Sequence, residues 1–595
     1  MPDPSPMAAA PTPAPPFDPR WPWLLGALAG LAVLLTIGDP GITSDEPIDV
    51  KVGRNYLSLA GALIDQVGSR GVASIRRANL DAFFADNAQH PPLGRWLVGL
   101  ASLVFEPFEG LLGGADPMSV HPARMAPMLA FALLVGVITR EAGRRFGPAA
   151  GIVAGLSLIL MPRVFAHAHF ATLDTILALC WTLALLAAAR AIEGPRPVLG
   201  LAIAGAVWGL ALLTKIHAWL LPPLVLGYAL VRLPMRKAIP GGLLWGLVGL
   251  LVFVLGWPWL WNDSLDRLAR FLSTSVDRQP LRVLYFGRVV EDVALPWHYP
   301  WAYFALTVPV GLHLLGLLGL VRGLRTVGRD PFPALLAASI LLFLVLFSTR
   351  APVYDGERLF LHVFPSWALL IGFGFQGLWD RLKPHDFGAS IRTGGAGGRD
   401  QRHPPTLSPA RGGAGGRRPG EGGPGPITPQ QASGFPWKLV LRGLLIALVV
   451  AQGFGVVRMH PYQLSYYNLL VGGLPGADRL GLELTYWGDT LDPPLLAEVE
   501  RLVPRGESVA IAPTFHHLYP TALLNAGLYK KEIRLLPEQG IDESRWLLVS
   551  RRSAYWSPAI DAAQARGEPV AERSRAGVWL SRLYRFEAPP AAVRP

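Results

Sequence analysis

The sequence predicts an α-helical polytopic membrane protein of about 11 transmembrane helices followed by a small C-terminal α/β domain. Three observations carry that prediction. The 595 residues are 51% hydrophobic and only 16% charged, too apolar for an ordinary soluble chain. Charge-poor apolar runs recur as far as Val457. Beyond Met459 the pattern changes to short strand-like and helix-like segments. The 19 Trp fit two membrane interfaces, where indole rings collect. Cys180 is the single cysteine, which excludes an intramolecular disulfide and a metal-thiolate cluster. A net charge of +12 raises nucleic acid as a partner. The basic residues cluster between apolar runs, however, so cytoplasmic loops explain them and no nucleic acid is expected.

In chain order, residues 1–20 form a Pro- and Ala-rich tail expected to be disordered. Arg20 is its only basic residue, so a signal-peptide n-region is missing and Trp21 to Gly38 reads as an uncleaved first span. The other runs lie near Met125 to Thr139, Ala149 to Phe165, Thr175 to Ala189, Val198 to Leu213 and Trp219 to Val231. Leu243 to Trp261, Trp301 to Val321, Phe332 to Phe347, Leu359 to Leu378 and Leu439 to Val457 complete them. Basic clusters follow alternate runs, at Arg140 to Arg145, Arg190, Arg232 to Lys237, Arg322 to Arg329 and Arg381. One cytoplasmic face accounts for that alternation.

The expected core is therefore 21–379, with a first outer loop at 39–122. Within that loop, Leu93 to Phe105 is too short to span and reads as a helix on the membrane surface, together with Val50 to Val67. Residues 380–436 are rich in Gly, Pro and Arg and read as a disordered cytoplasmic loop. A last span at 437–457 then leads to an extracytoplasmic domain at 458–595. Its predicted elements are helices at Leu495 to Leu502, Pro520 to Ala526 and Pro558 to Arg566 and strands at Ser508 to Ala512 and Trp546 to Ser550.

The polar residues of the expected outer side are the functional candidates. Asp45 and Glu46 follow the first span closely; acids there either cap a helix starting near Pro47 or serve chemistry. In Gln89-His90-Pro91-Pro92-Leu93-Gly94-Arg95, two prolines fix the chain and aim His90 and Arg95. His167 and His169 fit either a divalent-metal pair or an interfacial turn. Asp174 heads a span, where an acid is costly unless used or paired. Lys215 lies between two runs, snorkelling or facing an anion. Arg358 opens another run, beside Asp355 and Glu357 as local partners. Trp487, Asp489 and the His516-His517 pair offer a sugar-binding surface, with ordinary folding roles as the alternative. Acids and bases on one face of an apolar bundle suit an amphipathic substrate, a lipid chain carrying a surface phosphate.

At these residues the sequence resembles the C-type glycosyltransferases, the superfamily of protein O-mannosyltransferases and lipid A aminoarabinose transferases. The resemblance rests on Asp45-Glu46, the HPPL segment from His90, ARMAPMLAFALLVGVITREAGRRFG from Ala123, AHFATLDTILAL around Asp174 and LLTKIHAWLLP around Lys215. It implies a bundle of spans with an outer-face site that takes a sugar from a polyprenyl-phosphate carrier, with inversion. It further implies Asp45 as base on the acceptor hydroxyl, Glu46 as its motif neighbour and Asp174 as a second acid. Lys215, with His90, Arg95 and Arg358, would hold the donor. The His of His90-Pro91-Pro92 is nearer the mannosyltransferases than the Lys of the aminoarabinose enzymes. The acceptor is a protein, lipid or glycan, and no nucleotide is needed. Two rival readings are a transporter or flippase for a polyprenyl-linked substrate and an inactive scaffold relative.

Overall fold

Helices lie on all eleven apolar runs. The computed structural model describes residues 17–70, 77–84, 90–112, 120–274, 279–382, 437–514, 516–524 and 532–587. The expected disorder at 1–16 and 383–436 falls outside them. The chain forms two compact units, one made of the residues up to Gly377 and from Leu448 onward, the other of Leu378–Ala447.

Five described helices are long and apolar enough to cross a bilayer: Pro122–Phe146, Leu173–Glu193, Met235–Leu255, Arg358–Arg381 and Trp437–Met459. Six further apolar helices have 10–17 residues, from Arg20–Leu34 to Phe332–Leu346. Prolines set many of these limits. Pro148, Pro197 and Pro92 stand at helix starts, where their missing N–H costs nothing.

Trp301 to Val321, expected as one span, is broken. Tyr299–Thr307 and Val310–Thr326 meet at 114°. Pro309 has no N–H to continue the ladder and drives Val308 into extended backbone (φ −105°, ψ 139°).

On the side that bears the candidate residues, Glu46–Arg70 packs along Pro92–Val104. Gly53 and Gly99 make this possible. A Cβ on Gly53 would lie 2.4 Å from the Arg95 carbonyl oxygen, and one on Gly99 would lie 2.4 Å from the Gly53 carbonyl carbon. The membrane-surface pair of helices expected from Val50 to Val67 and Leu93 to Phe105 is thus two helices in backbone contact. An unforeseen hairpin, β1 (Arg282–Tyr285) and β2 (Arg288–Glu291), follows the Met235–Leu255 helix.

The C-terminal domain is a five-stranded mixed sheet. Its strands are β3 (Ser508–Ala512), β4 (Arg534–Leu536), β5 (Trp546–Ser550), β6 (Glu568–Arg575) and β7 (Val578–Arg585), in spatial order β4-β3-β5-β7-β6. The first three are parallel, and β7 pairs antiparallel with both β5 and β6. Every residue of β5 is buried, as suits a central strand whose first four residues are apolar. Leu547, Val549 and Tyr584 pack with Ile560 and Ala563 of the Pro558–Arg566 helix.

Candidate functional site

Asp174 lies in the first turn of Leu173–Glu193, where the helix N-terminus favours an acid. Lys215 follows the Pro197–Leu212 helix in extended backbone (φ −157°, ψ 155°), which turns its side chain back toward that acid. The two are ion-paired and buried, Lys215 Nζ on Asp174 Oδ1. The HPPL segment is tied to the same loop, because the Leu93 N–H donates to the Leu213 carbonyl (2.9 Å).

Arg358 is delivered by a left-handed turn. Asp355 and Gly356 have φ of 55° and 66°, and the Gly356 N–H donates to the Tyr299 hydroxyl (3.0 Å). A side chain at position 356 would be strained by that φ and would crowd the Tyr303 ring. From this turn the Arg358 guanidinium meets three carboxylates. Nε donates to Asp174 Oδ2 (3.2 Å), one Nη to Asp355 Oδ2 (3.0 Å) and the other to Asp45 Oδ2. Its face lies 4.0 Å from the centre of the Trp487 ring. Arg552 from the C-terminal domain binds the second oxygen of Asp355 (3.1 Å).

The result is one connected array, Lys215–Asp174–Arg358–Asp45, with Asp355 and Arg552 branching from Arg358. Asp45 is its most open member, with 35% of its side chain exposed. Burial favours the neutral acid, but Arg358 overrides it and holds the Asp45 carboxyl below its ordinary range. Asp355 goes the other way: desolvation outweighs Arg552 and Arg358 and raises it. A cavity of about 220 Å³ opens over Asp45 and Arg358, walled by Trp487, Asp355, Arg552 and Tyr555 among others.

The remaining candidates are placed differently. Glu46, expected beside Asp45 in the chemistry, is fully buried in a clamp. Its oxygens accept from Arg124 (2.8 and 3.0 Å), the Ala171 N–H (2.8 Å) and the Thr43 N–H (2.8 Å). Arg124 in turn donates to the carbonyls of Ile37, Pro40 and Gly41, fixing the loop that presents Asp45. Arg95 is buried against Asp49 (3.1 Å). His90 lies near the array; burial first, then Arg95 and Lys215, push it well below its ordinary value, so it is neutral at pH 7.

His167 and His169 do not form a ligand pair. His169 uses both ring nitrogens, on Thr36 Oγ1 (2.9 Å) and the Phe165 carbonyl (3.0 Å). The His167 ring packs 5.3 Å from Trp487 and approaches the Tyr486 hydroxyl at 3.4 Å. Among the described residues no group of three His, Cys, Asp or Glu is arranged to hold a metal. Trp487 lines the cavity, whereas Asp489 is buried with neither carboxylate oxygen hydrogen-bonded, and burial pushes it up to about 7. His516 and His517 pack on each other with tilted rings, 4.0 Å between ring centres, and neither lines the cavity.

Sequence reasoning singled out neither Arg124 nor Arg552, and it took Asp355 only as a local partner of Arg358. Arg124 carried a usable signal, a charge at the head of an apolar run just as Asp174 is. Arg552 carried none, since it lies in a polar stretch of the C-terminal domain.

Residues 89–261 match the family model described as dolichyl-phosphate-mannose-protein mannosyltransferase, a stretch that includes His90, Asp174 and Lys215. Four of the five motifs that carry the resemblance fall within that stretch, and Asp45-Glu46 lies before it. Among curated proteins none matches the chain. Among solved structures, ArnT from Cupriavidus metallidurans in the apo state is similar at 17% identity, with a TM-score of 0.47 and coverage of 97% of this chain and 99% of that one. The archaeal oligosaccharyltransferase AglB from Archaeoglobus fulgidus, in complex with an inhibitory peptide and a dolichol-phosphate, is similar at 12% identity, with a TM-score of 0.44 and coverage of 96% and 75%.

Proposed function

We propose that this chain is an integral-membrane glycosyltransferase that moves a sugar from a polyprenyl-phosphate donor to an acceptor hydroxyl on the outer face, with inversion. One observation carries the reading: Lys215, Asp174, Arg358 and Asp45, widely spaced in sequence, form a single ion-paired array, buried except at Asp45, that ends at a cavity. Two cations held at one mouth of an apolar helical bundle are what a lipid phosphate requires.

In this reading the lipid tail lies among the apolar helices and its phosphate competes with Asp174 and Asp45 for Lys215 and Arg358. When the phosphate takes Arg358, Asp45 loses the cation that kept its pKa low and becomes a better base. The acceptor oxygen then attacks the anomeric carbon from the side opposite the phosphate. The new C–O bond forms as the bond to the phosphate oxygen breaks, the electron pair leaves on the lipid phosphate, and Asp45 takes the acceptor proton. Lys215 and Arg358 match the charge that develops on the leaving group. Glu46 and Arg124 hold the Asp45 loop in place.

The test is an assay of the purified full chain in liposomes with a labelled polyprenyl-phosphate sugar and a protein, lipid or glycan acceptor. Label transfer supports the reading. Translocation without transfer supports the transporter, and neither event supports the scaffold.

A further inference from the structure

The cavity over Asp45 has a wall that the apolar helices do not supply. Arg552 and Tyr555, from the loop after β5, close it together with Pro513 and Thr514 from the end of β3. Arg552 is only 8% exposed. It pairs with Asp355 (3.1 Å) and stacks on Tyr555, 4.5 Å from that ring's centre.

This loop is fixed from behind. The buried Glu483 carboxylate accepts the Ser553 and Ala554 N–H groups (2.8 and 3.0 Å), and Arg551 is held by Asp478 (2.6 Å). The Tyr555 hydroxyl accepts the Arg282 N–H from the β1 strand (3.0 Å). A desolvated ion pair contributes little net stability over an apolar contact, so stability alone does not account for Arg552. A rigidly held guanidinium beside a carboxylate and aromatic rings does make a recognition surface.

The size of the space narrows the ligand. At about 220 Å³ it is smaller than the roughly 300–1,000 Å³ of pockets for drug-sized ligands. It has room for a single polar ring. It also lies directly over Asp45 and Arg358, where the anomeric carbon must come under the reading above.

We propose that Arg552 and Tyr555 are specificity residues that seat the transferred sugar ring, so that the C-terminal domain is part of the active site. This rests on the glycosyltransferase reading. Arg552 and Asp355 would take ring hydroxyls as donor and acceptor, and Tyr555 would keep the guanidinium oriented.

The test uses the purified full chain, with Arg552→Ala, Arg552→Lys and Tyr555→Phe, and polyprenyl-phosphate donors differing only in the sugar. Each variant is first checked for its melting temperature. In Arg552→Ala the donor KM should rise roughly ten- to hundredfold, the loss expected for a charged hydrogen bond. Discrimination between sugars should flatten, and Arg552→Lys should recover it only in part. Inhibition by sugar-free polyprenyl phosphate should stay as in the wild type, because the phosphate is held elsewhere. Unchanged discrimination in a folded Arg552→Ala overturns the proposal. So does an equal loss of inhibition by sugar-free lipid phosphate, or a change confined to the acceptor KM. Absence of transfer by the wild type from every donor instead overturns the glycosyltransferase reading beneath it.

Discussion

Asp45 is tied to Lys215 through two side chains: Lys215 holds one oxygen of Asp174, and Arg358 holds the other while also gripping Asp45. No single substitution in that chain acts alone, because each charge balances its neighbours. The expected effects differ according to which end is cut.

Asp45→Asn removes the proposed base while keeping its shape. Transfer should fall at least about a hundredfold, the lower end of what general-base catalysis supplies. Donor binding should persist, as measured by retention of a labelled polyprenyl-phosphate sugar. Turnover within a few-fold of wild type would remove Asp45 from the role.

Lys215→Ala frees one Asp174 oxygen and deletes a phosphate contact. The donor KM should rise roughly ten- to hundredfold, with a smaller change in kcat if the contact is already made in the ground state. Titrating the donor at saturating acceptor checks this. An effect on the acceptor KM alone would point to a different site for the phosphate.

Glu46→Ala leaves Arg124 buried without its carboxylate. Both side chains are fully buried, so the stability loss should be about 3–5 kcal/mol. It should appear as a lower melting temperature and a lower folded yield. A melting temperature equal to that of the wild type would show that the clamp is unimportant.

Asp489 gives a pH signature. Its carboxyl titrates near 3.8 when unperturbed and about 7 in the fold. Its contribution is therefore fully present below about pH 4, where both states are protonated. It is lost progressively as the pH rises toward 7, because the folded state must then hold a proton the unfolded state has released. Asp489→Asn should flatten the melting temperature between about pH 4 and about pH 7 and raise it above that window. A pH profile identical to wild type would refute this.

Much of the fold was legible because the signals were local. Apolar runs bounded by prolines and glycines became helices, and Ser508–Ala512, Trp546–Ser550 and Pro558–Arg566 have the limits their pattern gives. The edge of the sheet was not legible: β6 is a polar strand with buried and exposed residues mixed, and it carries no apolar alternation. The 114° break was hinted at only by Pro309, inside a run that carries no Asp, Glu, Lys or Arg.

The site followed the same division. Asp45, Asp174, Lys215 and Arg358 each drew notice as charges at the margin of apolar sequence, and the structure places them in contact. Glu46 looked like its neighbour, since adjacency in sequence does not say which way a side chain points once a helix begins between two residues. Arg95 was visible as a cation, but its partner Asp49 lies on another helix and left no mark in the local pattern. Asp355 and Arg552 are joined across 197 residues of chain, a pairing that no window of sequence contains.

The loop bearing Asp45 is stitched to the approach to the C-terminal sheet by two main-chain bonds: the Gly41 N–H to the Asp489 carbonyl (2.8 Å) and the Ser44 N–H to the Trp487 carbonyl (2.9 Å). Side-chain substitution cannot undo such a seam. Any excursion of the 487–489 segment must drag residues 41–44 with it. Excising the region after Met459 would therefore leave the Asp45 loop with two unmet amide donors, a defect that resupplying the missing piece as a separate polypeptide would have to mend.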